Sequence, residues 1–139
     1  MKIVLDTNIL LVSISQKSPL HWIYQNLKSG KYTLCVTTEI MFEYAEIIER
    51  QMGAKASQEA IMSLKKFENV IYIDSQFRFQ LLKDEDDNKF VDCAIVANAH
   101  YLVSHDNDFK VLKTIPYPKV NLISIPEFSQ VMKDLDSSQ

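Results

Sequence analysis

"MKIVLDTNIL" (residues 1–10) opens with three strand-forming aliphatics, Ile3, Val4 and Leu5, that run straight into a carboxylate at Asp6. A run without polar alternation reads as a short strand covered on both faces. Asp6, Thr7 and Asn8 then sit at its carboxyl end. Taken alone, Asp6 is as readily a cap for the following helix as a functional acid. Other acids delivered to the same edge would make it part of a metal site.

Working outward, "KIVLD" (2–6) is the first of five such runs, with "TLCV" (33–36), "VIYI" (70–73), "YLVS" (101–104) and "VNLIS" (120–124). Segments of helical period lie between them. "SPLHWIYQNL" offers Ser18 as cap and Pro19 at the first helical position. After "CVTT", Ile40, Tyr44, Ile47 and Ile48 recur at helical spacing, and "SQEAIMSLKKF" is a second helix in the same crossover, separated by Gly53. "DDNKFVDCAIVANAH" is led by Asp86 or Asp87 as cap, and "IPEFSQVMKDL" closes the chain with its last few residues expected to fray. The stretch 74–87 has no clear type. Strands alternating with helices predict an α/β fold with a central parallel sheet of about five strands.

At 139 residues the chain is expected to be one domain, 1–139, that buries its core without disulfide or metal staples. Hydrophobic residues make up 47% and charged residues 24%, which argues against a disordered chain. Lys+Arg at 15 against Asp+Glu at 18 leaves a net charge of −3, so nothing draws nucleic acid globally. Binding RNA would need local basic patches or bound cations. Cys35 and Cys93 lie in apolar stretches and read as reduced core thiols. The opening apolar run is broken by Asp6 and Asn8, which argues against a signal peptide. No run nears the roughly 18 residues of a membrane span. A soluble, cytoplasmic protein is expected.

In an open α/β sheet, ligands bind outside the carboxyl ends of the strands. Asp6 ends the first strand; Asp106 and Asp108 follow the fourth, where an Asx-type turn is the plainer reading. Asp92 falls in a helix that is apolar from Phe90 to Ala97 apart from itself, and an unpaired carboxylate there is expensive unless a cation relieves it. Asn88, four residues earlier, shares its face as a hydrogen-bonding neighbour or substrate contact. Glu43 lies about a turn past a cap at Thr37 or Thr38, beside Glu39 and Glu46; the plainer reading is a solvated acidic face with Glu46 paired to Arg50. Asp84, Glu85, Asp86 and Asp87 read as charge favoured at a helix N-terminus. The convergence of Asp6, Glu43, Asp92 and Asp106 from four distant segments shifts the balance toward a site. Carboxylates without histidine or thiolate partners favour Mg²⁺ or Mn²⁺, whose characteristic chemistry is hydrolysis of phosphodiesters.

Asp6 in "VLDTN", Glu43 in "TTEIMFEYAEI", Asp92 in "DDNKFVDCAIVANAHYLVSHD" and Asp106 in "SHDNDF" resemble the acidic quartet of PIN-domain nucleases. The resemblance runs from residue 2 to about 128 and is closest to the PIN-family toxins of prokaryotic toxin–antitoxin systems, related to VapC-type ribonucleases. It implies a PIN-like three-layer α/β/α sandwich and a Mg²⁺- or Mn²⁺-dependent endoribonuclease. Asp6, Glu43, Asp92 and Asp106 would be catalytic metal ligands, Asp108 a further one, and Thr7, Asn8 and Ser104 supporting residues. It also implies an RNA substrate, a homodimer and silencing by a small antitoxin. The family's Thr two residues before the last acid is Ser104 here, which keeps the hydroxyl; His105 is outside the pattern. Lys17, Arg50, Lys89, Lys110 and Lys113 are candidate phosphate contacts.

Other readings are weaker. A phosphotransfer receiver using Asp74 would need a lysine after the last strand, where "NLISIPEF" has none. A haloacid-dehalogenase-type phosphatase needs an Asp where Asn8 stands. His21, His100, His105 and the cysteines lack zinc-ligand spacing, and the adjacency of "SHD" (104–106) is no evidence for a triad. The serious alternative is a catalytically silent PIN-like scaffold for RNA or protein.

Overall fold

The computed structural model describes residues 1–138. Five strands, β1 (Lys2–Leu5), β2 (Thr33–Val36), β3 (Val70–Tyr72), β4 (Tyr101–Val103) and β5 (Leu122–Ile123), form one sheet in the order β3-β2-β1-β4-β5. All pairings are parallel. Helices α1 (Thr7–Ile14), α2 (His21–Lys28), α3 (Thr38–Met52), α4 (Ala54–Lys66), α5 (Glu85–Val96) and α6 (Ile125–Ser137) flank it, with a 3₁₀ segment at Asn107–Thr114. This is the expected α/β architecture. In β1 Ile3, Val4 and Leu5 are all fully buried; alternate side chains of a strand face opposite ways, so helices must cover both faces.

The strand order sets the position of any site. From β1 the chain winds outward through β2 to β3, then returns to place β4 on the other side of β1. The switch point therefore lies between β1 and β4, whose ladder pairs Leu5 with Val103 and continues through the Asp6 amide, which donates to the Val103 carbonyl at 3.1 Å. A crevice at the carboxyl edge belongs there.

The core is one cluster built on β1, β2 and β4 with Tyr32, Tyr44, Phe90, Phe109 and Phe128 as its largest buried side chains. Each such side chain is worth about 1.5–3 kcal/mol when withdrawn from water. The buried hydroxyls are satisfied: Tyr44 donates to the Leu5 carbonyl at 2.5 Å and Tyr32 to Ile23 at 2.8 Å. Cys35 and Cys93 are buried free thiols, and burial pushes Cys93 up to about 12, which leaves it inert.

Element ends differ from expectation for local reasons. β1, β3, β4 and β5 are shorter than the runs read from sequence, and β2 matches its run. Helix α2 begins at His21, because the Ser18 hydroxyl accepts the Leu20 amide (3.1 Å) and a Ser18–His21 turn takes the chain's first bonds, an alternative that serine offers the backbone. Thr37 caps α3 as expected, accepting from the Ile40 amide at 3.1 Å. Gly53, at φ 97°, supplies the left-handed turn between α3 and α4. The α5 cap is Asp84, which accepts from the Asp86 amide at 2.9 Å, so the cap lies before the expected Asp86 or Asp87. The untyped stretch runs without regular structure from Ile73 to Asp84. A capping box of Ser124 and Glu127 opens α6, which continues to Ser137; of the tail expected to fray, Gln139 lies outside the described residues.

Candidate metal centre

Asp6 starts α1 but its side chain makes no capping bond to that helix. Its carboxylate instead accepts from the Ser104 hydroxyl at 2.9 Å, directly across the β1–β4 switch point. Ser104 in turn accepts the Asp106 amide at 3.0 Å. The serine thus ties the ends of two strands together and orients the acid on each. Asp106 accepts from the Asp108 amide at 2.9 Å, so the Asx-type turn is real and also presents both carboxylates on the same edge.

Asp87, in the first turn of α5, completes the group. Carboxylate oxygens of Asp87, Asp106 and Asp108 all lie within 4.8 Å of one another. Burial, reinforced by the charges of Asp84, Asp106, Asp6 and Asp108, pushes Asp87 up to about 6. Asp6 is also raised, by burial first; the Ser104 hydroxyl and the Thr7 amide oppose the shift, while Asp106 and Glu43 add to it. Mutually repelling oxygens at the end of a covered sheet form an all-oxygen donor set suited to a hard divalent cation.

Glu43 reaches the same region through α3. One of its oxygens accepts from the Thr7 hydroxyl and the other from the Lys89 ammonium at 2.6 Å. Its neighbours on α3 behave differently: Glu39 pairs with Arg78 at 2.7 Å and Glu46 with Arg50 at 2.9 Å, both at the surface. The acidic face therefore divides into two surface pairs and one half-buried acid beside Asp6.

The structure thus brings Asp6, Glu43, Asp106 and Asp108 together, with Thr7 and Ser104 in support. It does not bring Asp92 to them. Asp87 and Asp92 are five residues apart, which on an α-helix puts them about 140° apart in azimuth and about 7.5 Å apart along the axis. Asp92 accepts from the Phe79 amide at 3.1 Å and is raised by burial; that amide and the Arg78 charge oppose the shift, and Glu39 adds to it. Asn88 is committed to the backbone, accepting from the Leu82 amide at 2.9 Å and donating to the Leu82 carbonyl at 3.0 Å. Asn8 is exposed.

Sequence reasoning passed over Asp87, although a signal existed: in a parallel sheet the helix preceding a strand starts at the strands' carboxyl edge, so first-turn acids lie nearest the crevice. Among the candidate phosphate contacts, Lys110 and Lys113 line a cavity of about 240 Å³ with Ser104, His105 and Asp106. Arg50 and Lys89 are engaged by glutamates, and Lys17 is exposed beyond α1. His105 accepts the Ile125 amide at 3.0 Å, bracing the start of α6.

A family model described as the PIN domain matches residues 2–108, and the chain belongs to the PIN-domain family. Solved structures share the fold. The VapBC2 complex of Rickettsia felis bound to a promoter DNA fragment aligns at 18% identity and TM-score 0.64, covering 89% of this chain and 98% of that one. VapC20 of Mycobacterium tuberculosis, a toxin that cleaves the sarcin–ricin loop, aligns at 12% identity and TM-score 0.59, covering 78% and 93%. The PIN-domain endonuclease Utp24 aligns at 16% and 0.53, covering 89% and 84%. No curated protein sequence matches the chain. Among the described residues no helix is long and apolar enough to cross a membrane.

Proposed function

We propose that this protein is a Mg²⁺- or Mn²⁺-dependent endoribonuclease and the toxin of a toxin–antitoxin pair, acting as a single domain in the cytoplasm. The observation that carries the reading is the meeting of Asp6, Asp87, Asp106 and Asp108 at the β1–β4 switch point, with Glu43 beside them. These acids would hold the cation, with Asp87 in the place first expected of Asp92. When bound, it supplies Lewis-acid polarisation of a phosphodiester and activation of water.

The chain's own residues do the positioning. Ser104 fixes Asp6 and Asp106 relative to each other, a supporting role that fixes ligand orientation. Thr7 and Lys89 fix Glu43 from opposite sides. Lys110 and Lys113 stand beside Asp106 where a phosphate of the strand can be met, giving the local positive charge that the net balance lacks. An antitoxin partner and a homodimer are supported by the likeness to VapBC complexes.

The test is hydrolysis of a mixed single-stranded RNA pool with Mn²⁺, Mg²⁺ or EDTA, comparing wild type with Asp6→Asn. Cleavage that requires both a metal and Asp6 is expected. A folded, metal-binding wild type that cuts no RNA would overturn the reading.

A further inference from the structure

Asp92 is 1% exposed, yet only one of its oxygens is used. Oδ1 accepts the Phe79 amide; Oδ2 has no hydrogen-bond partner among the described residues. Among the described residues no fully enclosed side-chain oxygen lacks a partner, so Oδ2 keeps a little exposure, and Asp92 lines a cavity of about 270 Å³ with Glu39, Arg78, Gln80, Glu85, Asn88 and Lys89. Neither cation of that cavity bonds Asp92: Arg78 pairs with Glu39 and Lys89 with Glu43, and the Arg78 charge acts on Asp92 only through space. Asn88 is fully occupied by Leu82. Gln80 holds a left-handed conformation, φ 56°, in the segment that brings Phe79 against Asp92. A buried acceptor kept open in a small cavity calls for a ligand that donates hydrogen bonds.

The cavity adjoins the acidic site. Lys89 lines it and reaches Glu43, and Glu39 is one helical turn before Glu43 on α3. Its volume lies just below the roughly 300–1,000 Å³ of drug-sized sites, which suits one planar heterocycle and excludes a folded segment. Oδ1 keeps a second lone pair beside the Phe79 bond, so Asp92 can still take two donors, and among RNA bases only guanine offers two adjacent ones, N1–H and the 2-amino group. Adenine and cytosine set an acceptor nitrogen beside their single amino group, and uracil sets carbonyls on both sides of N3–H; each would turn a lone pair toward Asp92. We propose that this cavity is a base-specificity pocket in which Asp92 receives the Watson–Crick edge of a guanine of the bound RNA strand, an inference that rests on the nuclease reading above.

The experiment is an NMR titration of the metal-free wild type with GMP, IMP and AMP, following the Phe79 and Gln80 amides, beside sequencing of the ends released from a random RNA pool. GMP is expected to bind about tenfold or more tightly than AMP, with IMP, which lacks the 2-amino group, between them. Asp92→Asn should abolish the preference, and cleavage should be enriched at guanines. The wild-type panel decides the matter even if that variant fails to fold. Equal affinity for GMP and AMP would overturn the pocket, as would cleavage indifferent to guanine, which leaves the nuclease standing. Guanine-selective binding in a protein that cuts no RNA would support the pocket and overturn the nuclease. Shifts produced by N-acetyl-arginine amide but not by GMP would assign the cavity to a protein partner and overturn the proposal.

Discussion

Helix α5 carries two acids with opposite surroundings. On one face Asp87, in the first turn, meets Asp106 and Asp108 at the carboxyl edge of the sheet. On the other, Asp92 is nearly inaccessible, holds the Phe79 amide and faces a cavity whose cations are already paired. The more deeply buried acid is not the one that joins the cluster. Depth marks a carboxylate as costly, whereas azimuth and height along the helix decide which partners it can reach.

The strongest way to break this contrast is to neutralise each acid in turn. Asp87→Asn is expected to lower metal-dependent RNA cleavage by about 10³-fold, as loss of a charge at the reacting centre does. Asp92→Asn should stay within about tenfold on a guanine-containing substrate, consistent with a lost binding contact. Steady-state rates on one RNA decide it, and a reversed order would return Asp92 to the metal set.

Ser104→Ala comes next. Removing the hydroxyl that joins Asp6 to the Asp106 amide should lower cleavage by about 10–100-fold, the usual penalty for disturbing a ligand's supporting bond. Ser104→Thr, which keeps the hydroxyl, should restore most of it.

A third effect concerns stability in metal-free buffer. Asp87 is held up to about 6 in the folded chain against an ordinary 3.8, so the folded state binds the proton more tightly than the unfolded one. Its stabilising contribution is complete below pH 3.8 and is lost as pH rises through about 6. Asp87→Asn should therefore raise the Tm by a few degrees at pH 7 and by nothing near pH 3.5, read by thermal melts across that range. A variant that melts lower than wild type at pH 7 would show that the Asp87 carboxylate is not under strain.

The smallest effect tests what orients the helix. Asp84→Ala removes the cap of α5 and should cost about 1 kcal/mol by denaturant melts. No measurable loss would mean that packing of Phe90, Val91 and Ala94 alone places both faces.

Much of this was legible in the residues. The unalternating Ile3–Val4–Leu5 run announced a covered parallel strand, Thr37 and Gly53 marked the ends of the α3 turn of the chain, and Asp6, Glu43 and Asp106 were picked out individually. The capping alternative for Asp6 failed because its carboxylate turns to Ser104, a residue 98 positions away. The Asx alternative for Asp106 proved compatible with a functional role, since one oxygen can cap while the group still faces its neighbours. The reading of Asp87 as charge favoured at a helix N-terminus holds, since it lies in the first turn of α5, but that pattern says nothing about what stands opposite.

Local chemistry along the chain was enough to name the fold class, the edge of the sheet where a site belongs and the kind of donor gathered there, because hydrophobic period and residue type are properties of neighbours in sequence. Which acid of α5 turns toward β4, which glutamate of α3 is left for the site while its neighbours pair with arginines, and that Asp92 opens on a separate cavity depend on helix azimuth and on contacts between residues distant in sequence. Those contacts form only when the chain packs, and no periodicity along it encodes them.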